Sequence, residues 1–388
     1  MKKIITILAA ILINSVYYDA FSQTYNGAFY EMFFGRQPGA RAEGMGRGMA
    51  SVTGDATSYF YNPAGTGSLK GLNLNAGFGG PYYSLRNYKL NSAYYDYFGA
   101  SYNYKKYGTI GFSYDYFSYG FNYKINRTDE YGNIIGTYTY DPEIAIYRLT
   151  YSLEVIKDLF VGTNLNLLHP DLIQQQGTSV GNETSYEDKD VFYFDLGAIK
   201  SFNINSGKLN HNINIGSSLI NLNSAEYSIG DASQAEKLPV IFRLGAAYDL
   251  SADDRSIVSN LKSYNFLVNA EYEDLFNSAY FGGFHGGIEF TFLEILSLRA
   301  GYYSQNAAER FAITDTNGVV TGQVYEEKTV NEFTYGFGLN IPVSQMTKGK
   351  TPVEIKFDYA NLKQPSYVKD EGSPGNYYVY TILLKWIF

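Results

Sequence analysis

The chain contains no cysteine. That absence removes disulfide frameworks, thiolate metal sites, cysteine nucleophiles and a lipoprotein anchor together. Charge is also scarce: Asp, Glu, Lys and Arg supply 18% of residues, and 38 acids against 30 bases leave a net charge of -8. Without a basic footprint, nucleic acid is excluded as a partner. Only three histidines occur, His169, His211 and His285, and none stands at metal-ligand spacing from another. No metal or cofactor is expected, and no enzyme activity. Long hydrophobic runs are missing as well. The one apolar stretch, from Ile4 to about Val16, follows Lys2 and Lys3 and precedes Ala20-Phe21-Ser22. That is the pattern of a secretory leader with a small-x-small cleavage site, so residues 1–22 are expected to be removed. Beyond it no segment approaches the ~20 apolar residues of a spanning helix, so residence in a bilayer would have to come from strands.

What is abundant points the same way. Forty tyrosines, 26 phenylalanines and 39 glycines favour strands and turns over helices. Alternation is the dominant pattern. Leu159, Val161, Leu165 and Leu167 enclose Gly162, Asn164 and Asn166; Phe333, Tyr335, Phe337, Leu339 and Ile341 alternate with Thr334, Gly336, Gly338 and Asn340; Val353, Ile355, Phe357 and Tyr359 alternate with Glu354, Lys356, Asp358 and Ala360. Each reads as a strand with one apolar face and one polar or small face. About fourteen such segments are centred at Leu74, Tyr97, Tyr114, Tyr147, Leu165, Leu196, Ile215, Leu244, Val268, Ile288, Leu298, Phe337, Phe357 and Ile382.

Connection lengths test this reading, because outer-membrane barrels place long loops outside and short turns in the periplasm. If the strand near Leu72 runs outward, the outer loops are 81–91, 124–141, 169–190, 222–239, 274–282, 305–332 and 362–376. The inner turns then fall at Lys105-Lys106, Glu154–Asp158, Asn205–Lys208, 251–263, Leu293-Glu294 and 342–352. The expected fold is therefore all-β, a closed antiparallel transmembrane barrel of about fourteen strands spanning 71–388. A soluble sandwich would bury its apolar face against a second sheet. Here the opposite face carries Arg243, Glu271, Glu273, Glu289, Arg299, Glu354, Lys356, Asp358 and Lys385, which suits a polar lumen. These charges are expected to pair there with one another or with the segment before the barrel.

That segment, 23–70, is glycine-rich, which suits a plug with tight turns inside a narrow barrel. No Gly-Lys-Ser/Thr closes the glycines between Gly35 and Gly67, so a phosphate loop is not indicated. Its opening, Gly39-Ala40-Arg41-Ala42-Glu43-Gly44-Met45-Gly46, and its close, Asp55-Ala56-Thr57-Ser58-Tyr59-Phe60-Tyr61-Asn62-Pro63-Ala64-Gly65, resemble the PorV/PorQ group of Bacteroidetes outer-membrane proteins, within the wider FadL-like superfamily. Lys237-Leu238-Pro239, Gly286-Gly287-Ile288-Glu289, Leu298-Arg299-Ala300-Gly301-Tyr302 and the terminal Phe388 extend the likeness along the mature chain. The resemblance implies a fourteen-stranded barrel whose N-terminal segment folds into the lumen as a hatch.

It also implies a role: docking partner or secreted proteins through the extracellular loops, as a type nine secretion or surface-assembly component. Expected partners are outer-membrane lipid and lipopolysaccharide, with other outer-membrane or secreted proteins. The alternative is a FadL-like passive channel for hydrophobic small molecules, with Phe29–Phe34 and Tyr59-Phe60-Tyr61 lining an apolar pocket. Two further features take plainer readings. Asp315-Thr316-Asn317-Gly318 marks a hairpin turn rather than a calcium loop, and Glu183, Glu187, Asp188 and Asp190 are a solvated acidic loop.

Overall fold

A strand that shows apolar side chains to lipid on one face needs every peptide group paired by a neighbouring strand, since hydrocarbon offers no water to replace the bond. The computed structural model meets this demand by closing the sheet on itself. It describes residues 39–82, 93–118, 120, 123–128, 131, 134–140, 143–171, 176–179, 182–185, 189–227, 236–252, 261–276, 280–314, 320–363 and 375–387. The expected leader, Phe29–Phe34 and the Asp315–Gly318 turn lie outside these residues.

Fourteen strands form the barrel: β1 Leu72–Tyr82, β2 Ala93–Asn103, β3 Thr109–Ser118, β4 Glu143–Ile156, β5 Leu159–Asp171, β6 Val191–Ser206 and β7 Leu209–Ile220, then β8 Val240–Ala252, β9 Tyr264–Phe276, β10 Tyr280–Phe292, β11 Leu296–Thr314, β12 Val320–Ile341, β13 Val353–Lys363 and β14 Asn376–Trp386. Each of the fourteen centres read from the sequence falls in a different strand. Neighbours are antiparallel throughout, and β1 completes the ring against β14 from Leu72↔Trp386 to Gly80↔Tyr378. Cross-strand register keeps faces matched: Leu165 lies opposite Phe194 and Asn164 opposite Asp195. Leu165 is 59% exposed and Phe333 76%, while Asn164 and Asp195 are buried. The apolar face is therefore the outside and the polar face the inside, the reverse of a soluble sandwich.

Connections follow the expected alternation, with departures. At the inner end, Leu293 and Glu294 both take positive φ (51° and 58°), the backbone of a type I′ turn, within the three-residue connection 293–295. The 342–352 turn is not irregular: Val343–Met346 makes one helical turn after Pro342. At the outer end, the supposed loop 305–332 is largely strand, because β11 and β12 stay paired from Leu296↔Leu339 to Thr314↔Val320. The β9 to β10 connection shortens to 277–279, since both strands run further than expected. Three other outer connections carry small hairpins, Tyr123–Thr128 with Ile134–Tyr140, Gln176–Ser179 with Asn182–Ser185, and Glu226–Tyr227 with Glu236–Lys237. Gly177-Thr178-Ser179-Val180-Gly181 spells Gly-x-Ser-x-Gly, but Ser179 ends a hairpin strand instead of occupying the strand-to-helix elbow that exposes a nucleophile.

A charge placed mid-strand on the outer face tests the orientation. Leu165→Arg is expected to cost ~2–4 kcal/mol in reversible unfolding from lipid vesicles. An unchanged midpoint would show that this face does not meet hydrocarbon.

Candidate functional site

Residues 39–70 thread the lumen. A five-residue helix, α1 Ala40–Gly44, packs against β11 to β14, and 3-10 turns at Ser58–Phe60 and Pro63–Ser68 lead out, the latter against β4, β5 and β6. Asn62 organises the close of this hatch. Its Oδ1 accepts from the Ala64 amide at 3.0 Å, capping the turn that Pro63 begins, while its Nδ2 donates to the carbonyls of Ala50, Ser217 and Ala198 at 2.6, 3.2 and 3.3 Å. The side chain is fully buried, so both ends of the amide are satisfied, as burial requires. Tyr59, Phe60 and Tyr61 are buried packing rings. Phe60 meets Tyr97 edge-on at 5.2 Å, Arg148 lies over Tyr59 and Phe60, and Arg243 lies over Tyr61.

Where the hatch touches the wall, the wall carries glycine. A Cβ at Gly197 would strike the Asn62 side chain, one at Gly216 the Ala50 carbonyl, one at Gly287 the Met45 carbonyl, and one at Gly301 the Gly46 amide. The Gly46 amide donates to Thr334 Oγ1 at 3.0 Å, and the Ala40 amide donates to Thr381 Oγ1 at 3.1 Å. Within the hatch, Gly39 abuts Thr57 and Tyr61, Gly44 lies against Gly336, and Gly65 leaves room for Ser58.

The opening motif is clamped by charge. Arg41 grips Glu289 through two bonds, 2.6 and 3.1 Å, and reaches Asp55 at 3.2 Å. Glu289 is shared with Arg299 at 2.5 Å; Arg299 then meets Asp358 at 2.7 Å, and Asp358 meets Lys356 at 3.2 Å. Three acids alternate with three bases from hatch to wall. Burial alone would raise the Asp55 carboxyl, but Arg41, Lys356 and hydrogen bonds from Thr57 outweigh it and hold the group below its ordinary value. Elsewhere on the wall Arg243 pairs with Glu273 at 2.7 Å and with Glu271 at 3.5 Å, and Glu271 accepts the Ala50 amide at 2.6 Å. Lys385 meets Glu354 at 3.2 Å nearer the inner end. The structure therefore joins the expected lumen charges, Glu354 and Lys385 apart, to Arg41, Asp55 and the hatch backbone.

Several participants were not anticipated. Arg148 bridges Asp115 at 2.7 Å, Ser113 and Asn166. Asp195 accepts from Asn164, Asn166 and the Asn221 amide. Glu43 and Arg47 converge on the Tyr377 hydroxyl, each at 2.7 Å. His285 donates from Nδ1 to the Gly46 carbonyl at 2.8 Å. Asp115 and Arg148 obey the same alternation that exposed the other wall charges, since each sits between lipid-facing neighbours. His169, at the head of the expected loop 169–190, lies within β5 two residues before its end and is exposed, facing Asp190 at 2.6 Å.

Along the barrel axis the inward face changes character. Outward of the clamp it turns apolar, with buried Tyr95, Phe117, Ile144, Ile146, Leu168, Val191, Ile220, Ile241, Leu275, Leu362 and Val379. These join Met45, Met49 and the three hatch aromatics in one hydrophobic cluster. Inward of the clamp lies a polar vestibule of about 320 Å³, lined by Arg41, Asp55, Asp249, Lys262, Glu354, Lys356 and Lys385 among others.

No family model matches the chain, and no curated protein matches it. Solved structures do. A Pseudomonas aeruginosa FadL homologue is 10% identical over 90% of this chain and 98% of its own, with a TM-score of 0.44. The P. putida toluene transporter TodX is 10% identical over the same shares, with a TM-score of 0.42. LpxR from Salmonella typhimurium is 12% identical over 81% of this chain and all of its own, with a TM-score of 0.37. Likenesses at this level carry no argument about activity.

Removing the shared carboxylate is the direct test of the clamp. Glu289→Gln leaves Arg41 and Arg299 buried around a neutral amide and is expected to weaken hatch docking by ~3–5 kcal/mol. Planar-bilayer recording should show frequent openings. Glu354→Gln, which touches only the part-exposed Lys385, is expected to cost ~0–1 kcal/mol and leave the trace quiet.

Proposed function

We propose that this chain is an outer-membrane channel for small hydrophobic compounds, with the hatch as its gate. The observation that carries the reading is the axial change in the inward face. Outward of the clamp the inward face is a packed apolar belt, and among the described residues the hatch and its polar clamp stand between that belt and the inner vestibule. An apolar compound that enters among these side chains leaves water with a gain of roughly 25 cal/mol per Å² buried. A water-filled pore for polar solutes would present polar side chains at that level instead. Beside the packing of Met45, Met49 and its three aromatic rings, the hatch is held by ion pairs and hydrogen bonds, contacts that exchange for water as it moves.

The test is uptake of a radiolabelled monoaromatic hydrocarbon or fatty acid by cells that lack their own hydrophobic channel. Expression of this chain should raise uptake, and Ile144→Asp with Leu168→Asp should lower it about tenfold by placing charge in the apolar belt. Heat-modifiable migration on gels controls for folding. Equal uptake with and without the folded protein would sink the channel reading.

A second reading is favoured by one feature, the outer reach of β11 and β12. From Ala308↔Glu327 to Thr314↔Val320 these strands pair with each other and, among the described residues, with no other strand. Two open strand edges above the barrel are a template for strand addition by another protein. This is the docking role that the sequence resemblance implies, with secreted or surface proteins as cargo. Purification from the native membrane should then yield a stoichiometric protein partner that is lost when 308–327 is replaced by a short turn. Recovery of the barrel alone would count against docking.

A further inference from the structure

The outer wall of the barrel carries a second concavity, unrelated to the lumen. At the inner end, beside the β2 to β3 turn, a groove of about 670 Å³ is lined by three tyrosines, Tyr102, Tyr104 and Tyr107, and three lysines, Lys70, Lys105 and Lys106, together with Gly71, Asn103 and Ile387. No lining residue is acidic. The three lysines and three tyrosines are all exposed.

The groove is built rather than incidental. The Asn103 amide donates to the Gly71 carbonyl at 2.9 Å, tying the turn to the start of β1. Asn103 Oδ1 accepts the Lys105 amide at 3.0 Å, and its Nδ2 donates to Thr109 at 2.8 Å. Tyr151 on β4 donates its hydroxyl to the Tyr107 carbonyl at 2.9 Å. Tyr104 and Tyr107 stack at 5.3 Å, and the Lys106 ammonium lies 5.0 Å over the Tyr107 ring. The Lys106 head is thereby held on an aromatic surface, with Lys70 and Lys105 on the same lining.

We propose that this groove binds an anionic phospholipid of the inner leaflet, its phosphate on Lys70, Lys105 and Lys106 and its chains along the tyrosines. Two observations commit it to lipid. The groove is continuous with the lipid-facing side of the barrel, through exposed Ile110 and Phe112 on β3 and Trp386 on β14. Its depth is that of the short turns, where tyrosine and lysine meet the headgroup layer of a bilayer. The charge is complementary, since three cations with no carboxylate among them favour an anion, and near a membrane surface each contributes a preference on the order of fivefold. The site does not depend on what crosses the lumen, so it stands or falls separately from the channel reading.

Trp386 is the chain's one tryptophan and adjoins Ile387 of the groove, which makes it a built-in reporter. The protein is reconstituted in phosphatidylcholine vesicles containing either brominated phosphatidylglycerol or brominated phosphatidylcholine at equal mole fraction. Quenching of Trp386 should be several-fold stronger with the anionic lipid. Lys70→Ser, Lys105→Ser and Lys106→Ser together should return the ratio to near one while heat-modifiable migration is retained. If that variant fails to fold, Lys106→Gln alone should reduce the ratio by a measurable part. Equal quenching by the two lipids in the unmodified protein, or a ratio that survives loss of the lysines, would overturn the proposal.

Discussion

Everything in this molecule follows from the closure of one hydrogen-bonded ladder, β1 against β14. Without that seam two strand edges would face hydrocarbon with unpaired peptide groups, each costing several kcal/mol. With it, the fourteen strands enclose a lumen, and side-chain alternation divides the chain into a surface for lipid and a surface for the interior. The ring is also narrow enough for a single segment to touch both sides. Thr381 on β14 holds the start of the hatch while the wall around Gly197 and Gly216 holds its end.

Closure creates a second problem, which the hatch resolves. Inward-facing charges on so many strands would be costly if the lumen were dry and unpaired. The hatch supplies counter-charges in Arg41, Glu43, Arg47 and Asp55 and donor amides at Ala40, Gly46 and Ala50. Buried ion pairs are poor evidence of net stability, because desolvation consumes much of the attraction. Their effect here is to specify position. The Asp55–Arg41–Glu289–Arg299–Asp358–Lys356 chain is satisfied with the hatch in this place, and a slip of one residue would leave several members facing like charge or none.

Much of this was legible in the sequence because a membrane barrel writes its faces in period two. Leu165 and Phe337 announce lipid-facing strands, and Glu289, Arg299 and Asp358 announce a charged interior. Asp115, Arg148 and Asp195 followed the same alternation but stand among tyrosine and phenylalanine, where the aromatic signal drowned a single charge. The partners within the network were not legible. Arg41 and Glu289 are separated by 248 residues, and only the circular order of strands brings them together. Loop ends were the least readable, because β11 and β12 continue beyond the membrane and there lose the lipid constraint that sharpens alternation. The hatch presented a different difficulty, since its path is set by wall glycines and not by a period of its own.

Those wall glycines have a mechanical consequence. At Gly197, Gly216, Gly287 and Gly301 the inner surface of the cylinder is bare main chain, so the segment inside lies on a smooth track instead of being keyed between side-chain teeth. Friction against sliding is low there, and resistance comes from polar links that water can replace one at a time. Where it lies on bare main chain the stopper comes loose by being wetted, whereas its rings at Tyr59, Phe60 and Tyr61 have to be drawn out of the apolar cluster.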